Sequence, residues 1–225
     1  MARRLVLLLL LVPALAHAQA KPNQMQRRAM QSDQGSFLQL TGFGSFNLGK
    51  DLYHAGAATL GLDDGGGWGG RVAYFRNPKL GFELSYARTN GDLKTRDGTI
   101  DFANPTPLGE LKVQQADIVA VMSGASDLKA KSQGYVLAGA GLTRFTGSAP
   151  VQTGSTETTR FAWLAGIGTK LRMGDKTGLR LEGRYRSTNT DNEDDLWTDA
   201  NGNPYTFANH WYRTWEISAG LALRL

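Results

Sequence analysis

The chain has 225 residues, 28 glycines, no cysteine and a formal net charge of +5. The lack of cysteine excludes a disulfide framework, and so mild a charge balance implies no nucleic-acid partner. The mean hydropathy is negative, and no stretch beyond the amino terminus approaches the roughly 20 apolar residues of a transmembrane helix.

Residues 1–20 read as a secretory signal. Arg3 and Arg4 form a basic start, Leu5 to Leu15 an apolar core interrupted only by Pro13, and Ala16-His17-Ala18 and Ala18-Gln19-Ala20 are small-x-small cleavage sites. The mature chain is expected to start near Gln19 or Lys21, which removes Arg3 and Arg4 and lowers the charge from +5 to +3. Residues 21–34 are polar, include Arg27 and Arg28, and lack a sustained period, so they read as a flexible lead-in. Residues 35–225 read as the folded domain.

Eight strands are expected there. Ser36 to Leu48 places Leu38, Leu40, Phe46 and Leu48 on one parity, with Phe37 and Phe43 as exceptions on the other. A glycine-rich connection ending in Gly65-Gly66-Gly67 follows. Trp68 to Phe75 sets Trp68, Val72 and Tyr74 against Arg71 and Ala73, and Asn77-Pro78 marks a tight turn. Leu80 to Arg88 alternates cleanly, with Leu80, Phe82, Leu84 and Tyr86 against Glu83 and Ser85. Asn90 to Glu110, with Pro105 and Pro107, is expected to be a long loop.

Leu111 to Met122 is less clear, because Val119 and Val121 blur the alternation of Ile118, Ala120 and Met122 against Asp117. Ser123 to Gln133 reads as a polar connector, Gly134 to Phe145 as a strand, and Thr146 to Thr158 as a loop. Thr159 to Arg172 sets Phe161, Trp163, Ile167 and Leu171 against Lys170. After the Gly174-Asp175-Lys176-Thr177-Gly178 turn, Leu179 to Thr188 sets Leu179, Leu181 and Tyr185 against Arg180, Glu182, Arg184 and Arg186. Asn189 to Asn209 is the last long loop. Trp211 to Leu225 carries Trp215, Ile217, Leu221, Leu223 and Leu225 on one side, broken by Arg213, with Glu216 on the other.

Long connections follow the first, third, fifth and seventh strands, and shorter ones follow the second, fourth and sixth. That rhythm predicts an all-β fold: an eight-stranded antiparallel up-and-down transmembrane β-barrel. The alternative is a soluble sheet whose polar parity is a wet face.

The mid-strand charges Arg71, Glu83, Lys170, Arg180, Glu182, Arg184 and Glu216 all lie on the polar parity. In a lipid barrel that parity points inward, and eight strands leave room for little more than side chains. Charges there must be paired, which predicts a plugged interior. A three-residue loop at Asn77-Pro78 would set Arg71 opposite Glu83, and Lys170 is expected near Glu182 across the Asp175 turn. Trp68, Tyr74, Phe82, Tyr86, Trp163, Tyr185, Trp211 and Trp215 fit interfacial girdles or ordinary packing.

Four segments, Gly67-Trp68-Gly69-Gly70-Arg71-Val72-Ala73-Tyr74, Leu80-Gly81-Phe82-Glu83-Leu84-Ser85-Tyr86, Gly134-Tyr135-Val136-Leu137-Ala138-Gly139-Ala140-Gly141 and Leu181-Glu182-Gly183-Arg184-Tyr185-Arg186, together resemble the small outer-membrane β-barrels of Gram-negative bacteria, the OmpA-like, OmpX-like and opacity-type proteins. Ser218, Gly220, Leu223 and Leu225 resemble that family's assembly signal, although the family more often ends in an aromatic residue. The resemblance implies an outer-membrane location, recognition by the barrel-assembly machinery through those four residues, contact with outer-membrane lipid and lipopolysaccharide, and structural, adhesive or host-resistance roles. A host surface ligand at the outer loops and a monomeric state are the further expectations.

The chain offers few residues suited to catalysis. His17 lies in the signal, His54 in the first outer loop and His210 at the mouth of the last strand. His210 could meet Ser187 or Ser155, as a lipid-modifying hydrolase would need, but rim histidines are the simpler reading. No phosphate-loop string occurs. Asp199-Ala200-Asn201-Gly202-Asn203 opens like a calcium loop, yet His210 stands where the twelfth-position acid belongs. No catalytic residue, cofactor or metal site is therefore expected. The function expected is a non-enzymatic barrel, with a narrow channel for small or apolar solutes and a lipid-modifying enzyme as alternatives.

Overall fold

The structure is a computed structural model that describes residues 35–48, 51–55, 58–62, 64–95, 107–124, 130–148, 157–190, 206–207 and 211–225. Its strands are β1 (Phe37–Leu48), β2 (Asp51–Ala55), β3 (Ala58–Leu62), β4 (Gly65–Asn77), β5 (Leu80–Thr95), β6 (Pro107–Ser123), β7 (Ser132–Ser148), β8 (Glu157–Arg172), β9 (Thr177–Asn189), β10 (Thr206–Phe207) and β11 (Trp211–Arg224). Eight of them close a ring in the order β1-β4-β5-β6-β7-β8-β9-β11, with every neighbouring pair antiparallel. The seam is β1 on β11, from Gln39↔Arg224 to Leu48↔Trp215. Closure removes the sheet edges, which is what allows a backbone this polar to sit in hydrocarbon.

The two faces sort as the alternation requires. Leu84, Ile118, Ile167, Leu181, Ile217 and Leu223 point outward and are exposed, while Glu83, Arg180, Glu182 and Arg184 are buried at the axis. A soluble sheet would place these sets the other way round, so the soluble alternative is excluded. The interior is not wholly polar: Ala73, Phe75, Val119, Val121, Tyr135, Leu137 and Leu164 form a buried cluster, with Phe37 against it. The inward Val119 and Val121 are what blurred the β6 pattern. Phe37 and Phe43, the two parity exceptions of β1, also turn inward. Phe37 stacks on Phe75 with centroids 4.9 Å apart, and Phe43 lies under the Arg71 guanidinium, 3.8 Å from ring centroid to Cζ.

Several interior aromatics lie over glycines of the neighbouring strand. A Cβ at Gly81 would stand 2.6 Å from Phe75 Cδ1, and one at Gly168 would overlap the Tyr135 ring. The missing side chain makes the room that the bulky neighbour occupies.

Four expectations need correction. The first outer connection is not simply a loop. β2 and β3 form a hairpin whose second strand continues along β5 through Leu60↔Thr95 and Leu62↔Leu93, with β10 paired to β2. Gly65-Gly66-Gly67 belongs to β4, and the expected Asn90–Glu110 loop is entered by β5 up to Thr95 and left by β6 from Pro107. β5 and β6 pair across that region, and a tall pair of strands can continue its ladder beyond the membrane even where composition suggests a loop. The Asn77 turn has two intervening residues, closed by the Lys79 and Leu80 amides donating to Asn77 Oδ1 at 2.9 Å. Arg71 therefore pairs with Ser85, and Glu83 with Ala73. Likewise Lys170 stands opposite Arg180, and Gly168 opposite Glu182.

Candidate functional site

The filled axis is built from one residue type at a time by strand parity. On β9, Arg180, Glu182, Arg184 and Arg186 are alternate residues, so all four project inward as a column. Across the ring they meet Arg71 of β4, Glu83 and Ser85 of β5, Asp117 of β6, Tyr135 and Thr143 of β7, and Glu216 and Ser218 of β11.

Arg180 is 1% exposed. It joins two carboxylates, Glu83 Oε2 through Nη1 and Glu182 Oε2 through Nη2, both at 2.5 Å. Its Nε donates to the Tyr135 hydroxyl at 2.6 Å, and that hydroxyl donates to Glu182 Oε2 at 2.7 Å. Arg184 ties the other oxygens: Nη2 reaches Glu83 Oε1 at 2.7 Å, Nε pairs with Glu182 Oε1, and Nη1 donates to Ser85 Oγ at 3.1 Å. Arg71 enters from the opposite wall, 3.0 Å from Glu182 Oε1, 3.6 Å from Glu216 Oε1 and 3.7 Å from Glu83 Oε1. Toward the outer end Arg186 holds Asp117 Oδ2 at 2.5 Å and donates to Thr143.

Four arginines, Arg71, Arg180, Arg184 and Arg186, thus meet four carboxylates, Glu83, Asp117, Glu182 and Glu216, in this network. Removing ions from water costs several kcal/mol each. Here the cost is offset by multiple charge-assisted hydrogen bonds to each carboxylate.

Two recesses approach this plug. The outer one is lined by Asn47, Thr89, Gln115, Thr143, Arg186, Thr188, Tyr212 and Thr214 among others. The periplasmic one is lined by Phe37, Gln39, Lys170, Arg172, Asp175 and Arg224 among others. None of Arg71, Glu83, Arg180, Glu182 and Arg184 lines either. Lys170, expected beside Glu182, instead donates to Gln39 Oε1 at 2.8 Å and lies over the Phe75 ring.

The four carboxyl-terminal residues have structural places. Ser218 is buried and accepts from Arg71 Nη2 at 3.1 Å. A Cβ at Gly220 would stand 2.5 Å from the Gly42 carbonyl oxygen and 2.6 Å from Phe43 Cβ, so a side chain there would break the seam. Leu223 and Leu225 face outward, and the Leu225 amide donates to the Leu38 carbonyl at 2.9 Å.

Ser187 is buried on the outer surface, with Trp163 and Arg213 as its register partners. His17, His210, Ser155 and the acidic stretch from Asp191 to Asn203 lie outside the described residues, and His54 is described only as a backbone position of β2. Asp117, Arg160 and Arg186 join the mid-strand charges on the inward side, as does Tyr135. All four share the inward parity, which was the available signal.

On the outer wall, Trp163, Tyr185 and Trp215 form a continuous aromatic contact, with centroids 5.5 and 5.1 Å apart. Outward-facing aromatics at this level suit the interface between hydrocarbon and headgroups.

The comparisons agree with this geometry. The family described as outer membrane protein beta-barrel domain matches residues 5–220. No curated protein matches the sequence. Among solved structures, OprG from Pseudomonas aeruginosa superposes with a TM-score of 0.56 at 14% identity, covering 85% of this chain and 96% of its own. Neisserial surface protein A does so with 0.53 at 14% identity, covering 85% and 99%. Ail, the attachment invasion locus protein of Yersinia pestis, solved with the heparin analogue sucrose octasulfate, gives 0.51 at 14% identity, covering 85% and 99%. At such identities the superpositions show a shared fold. With the family match over residues 5–220, the closed ring and the inverted placement of apolar and ionic side chains, they establish that the chain belongs to the outer-membrane protein β-barrel domain family.

Proposed function

We propose that this protein is a non-enzymatic barrel whose task is to hold its outer connections above the outer leaflet, where they meet other surfaces, while the barrel stiffens the membrane. The observation that carries this reading is the plug. Arg180 and Glu83 are each 1% exposed at the axis, and the network they belong to spans from β4 and β5 to β9 and β11. A barrel blocked in this way has its outer end left for function. Two structural neighbours point the same way: one is a surface protein, and the other an attachment invasion locus protein solved with a heparin analogue, sucrose octasulfate.

Deleting residues 191–205 and measuring adhesion to host cells and survival in serum tests the reading. Unchanged adhesion and survival, there and in deletions of the other outer connections, would remove the adhesive role. The competing reading is a narrow channel, favoured by the two recesses that converge on the plug from opposite ends. Planar-bilayer recordings separate the two: the plugged barrel should give no steady large current, and a channel should.

Delivery is part of the same proposal. Residues 1–20 act as the export signal, and Ser218, Gly220, Leu223 and Leu225 are presented to the barrel-assembly machinery before the seam closes. Leu225→Phe should speed insertion in a reconstituted assembly assay. An unchanged rate would remove Leu225 from the recognition.

A further inference from the structure

The periplasmic recess carries an excess of positive charge. Arg76, Lys79, Lys131 and Lys176 are exposed around the end where the short turns lie. Lys170, Arg172 and Arg224 stand on the inward parity of β8 and β11 and line the recess. Among the described residues Asp175 is the one acidic side chain at this end, and Arg172 Nη2 already holds it at 2.5 Å. Such a collar of cations draws anions in from the periplasm.

Within that collar, Lys170 is the cation most in need of a counter-ion. Its ammonium carries three donors, and among the described residues its side-chain acceptor is Gln39 Oε1 at 2.8 Å. The carboxylates of the plug are taken. Glu83 is held by Arg71, Arg180 and Arg184, and so is Glu182. In the β8–β9 ladder Lys170 stands opposite Arg180, a like charge. No described carboxylate lies at ion-pair distance from its ammonium. Taking an ion out of water without a counter-ion is costly, and an anion entering the recess would remove that cost.

The recess also has an apolar wall. Phe37 stacks on Phe75 with 4.9 Å between centroids. Lys170 Nζ lies 4.1 Å from the Phe75 centroid and Arg224 Cζ 5.9 Å from the Phe37 centroid, so both cations lean on one pair of rings. Gln39 brings the two together, because it accepts from Lys170 and is the register partner of Arg224. Ala222, the preceding inward residue of β11, lines the recess beside them.

We propose that this recess binds a small organic carboxylate from the periplasm, with the carboxylate between Lys170 and Arg224 and the apolar end against Phe37 and Ala222. Charge-assisted hydrogen bonds hold the head. The ring and the methyl group beside the charges favour an organic anion over an inorganic one. The inference goes beyond the role of the outer connections and stands whether or not they adhere.

The test uses the full folded barrel in non-ionic detergent. The probe is para-fluorobenzoate, and binding is read from fluorine NMR line broadening, corrected for protein-free micelles. Wild type should broaden the signal saturably. K170Q and R224Q should each bind roughly tenfold more weakly, and the uncharged para-fluorobenzamide should bind wild type no better than the benzoate binds either variant. Thr89→Ala, which alters the outer recess, should bind as wild type. Heat-modifiable gel mobility checks that every variant is folded, and R224Q, at the open mouth, carries the test alone should K170Q fail to fold. No saturable broadening by wild type, a folded R224Q with undiminished binding, or amide and carboxylate bound equally well would overturn the site. Loss of binding in Thr89→Ala would overturn its location in favour of the outer recess. Displacement of the probe by an equal concentration of inorganic phosphate would overturn the organic assignment.

Discussion

Glu83 serves two arginines at once. It accepts from Arg180 through one oxygen and from Arg184 through the other. Glu83→Gln keeps the shape and removes the charge, so two buried guanidinium groups lose a counter-ion. Breaking one side of a buried pair costs about 3–5 kcal/mol, and a fall of that size is expected in the unfolding free energy that a urea titration of the refolded barrel measures. A loss no larger than that of an exposed pair such as Arg144–Glu157 would mean that water reaches the axis. Tyr135 is held from a different side. It bridges Arg180 and Glu182 while its ring fills the space over Gly168. Gly168→Ala should displace that ring and cost about 1–3 kcal/mol by overpacking, a loss that Gly168→Ala combined with Tyr135→Leu should partly relieve in the same urea titration.

At the level of the strand, alternation does two jobs with one pattern. β6 shows this best, because Val119 and Val121 face the axis beside Asp117 while Ile118, Ala120 and Met122 face lipid. Ile118 is 63% exposed in the middle of the apolar band. Ile118→Arg should destabilise the barrel by about 2–4 kcal/mol in bilayers. The same charge at position 114, beside Arg88 and Arg144, should cost far less, as a pair of unfolding titrations in lipid vesicles would show. The strand turns carry their own chemistry. Asn77 accepts two backbone amides, and this fixes a two-residue connection whose register sets Arg71 against Ser85. Arg71 still reaches Glu83 at 3.7 Å, because a diagonal neighbour lies within reach of a long side chain.

For the molecule as a whole, closure is the decisive event. β1 and β11 lie far apart in the chain, yet they share ten paired positions from Gln39↔Arg224 to Leu48↔Trp215. Opposite residues in such a ladder have Cα atoms about 4.5–5.5 Å apart, within disulfide range. The chain has no native cysteine, so Leu40→Cys with Leu223→Cys should oxidise to a single cross-link, and the boiled protein should migrate differently before and after reduction. Failure to oxidise in the folded state would contradict the seam. Closure also explains why the ionic network can stay at the axis: once the ring is shut, its arginines and carboxylates have no exit to water and satisfy one another.

Much of this was legible from residue order. Period-two alternation with charges on one parity is a local property, so the eight strands, their inward and outward faces and the filled interior follow from reading single segments such as Leu80–Tyr86 and Leu179–Arg186. The family resemblance carried by those segments agrees with the fold. What a linear reading missed depends on partners distant in the chain. Which carboxylate meets which arginine, the place of Lys170 beside Gln39 and Phe75, and the β2–β3 hairpin built onto β5 are all set by register. A shift of a residue or two between strands leaves every local pattern intact and changes every cross-strand contact. Alternation by itself therefore determined which way each side chain faces, and only the closed ring decided what it faces.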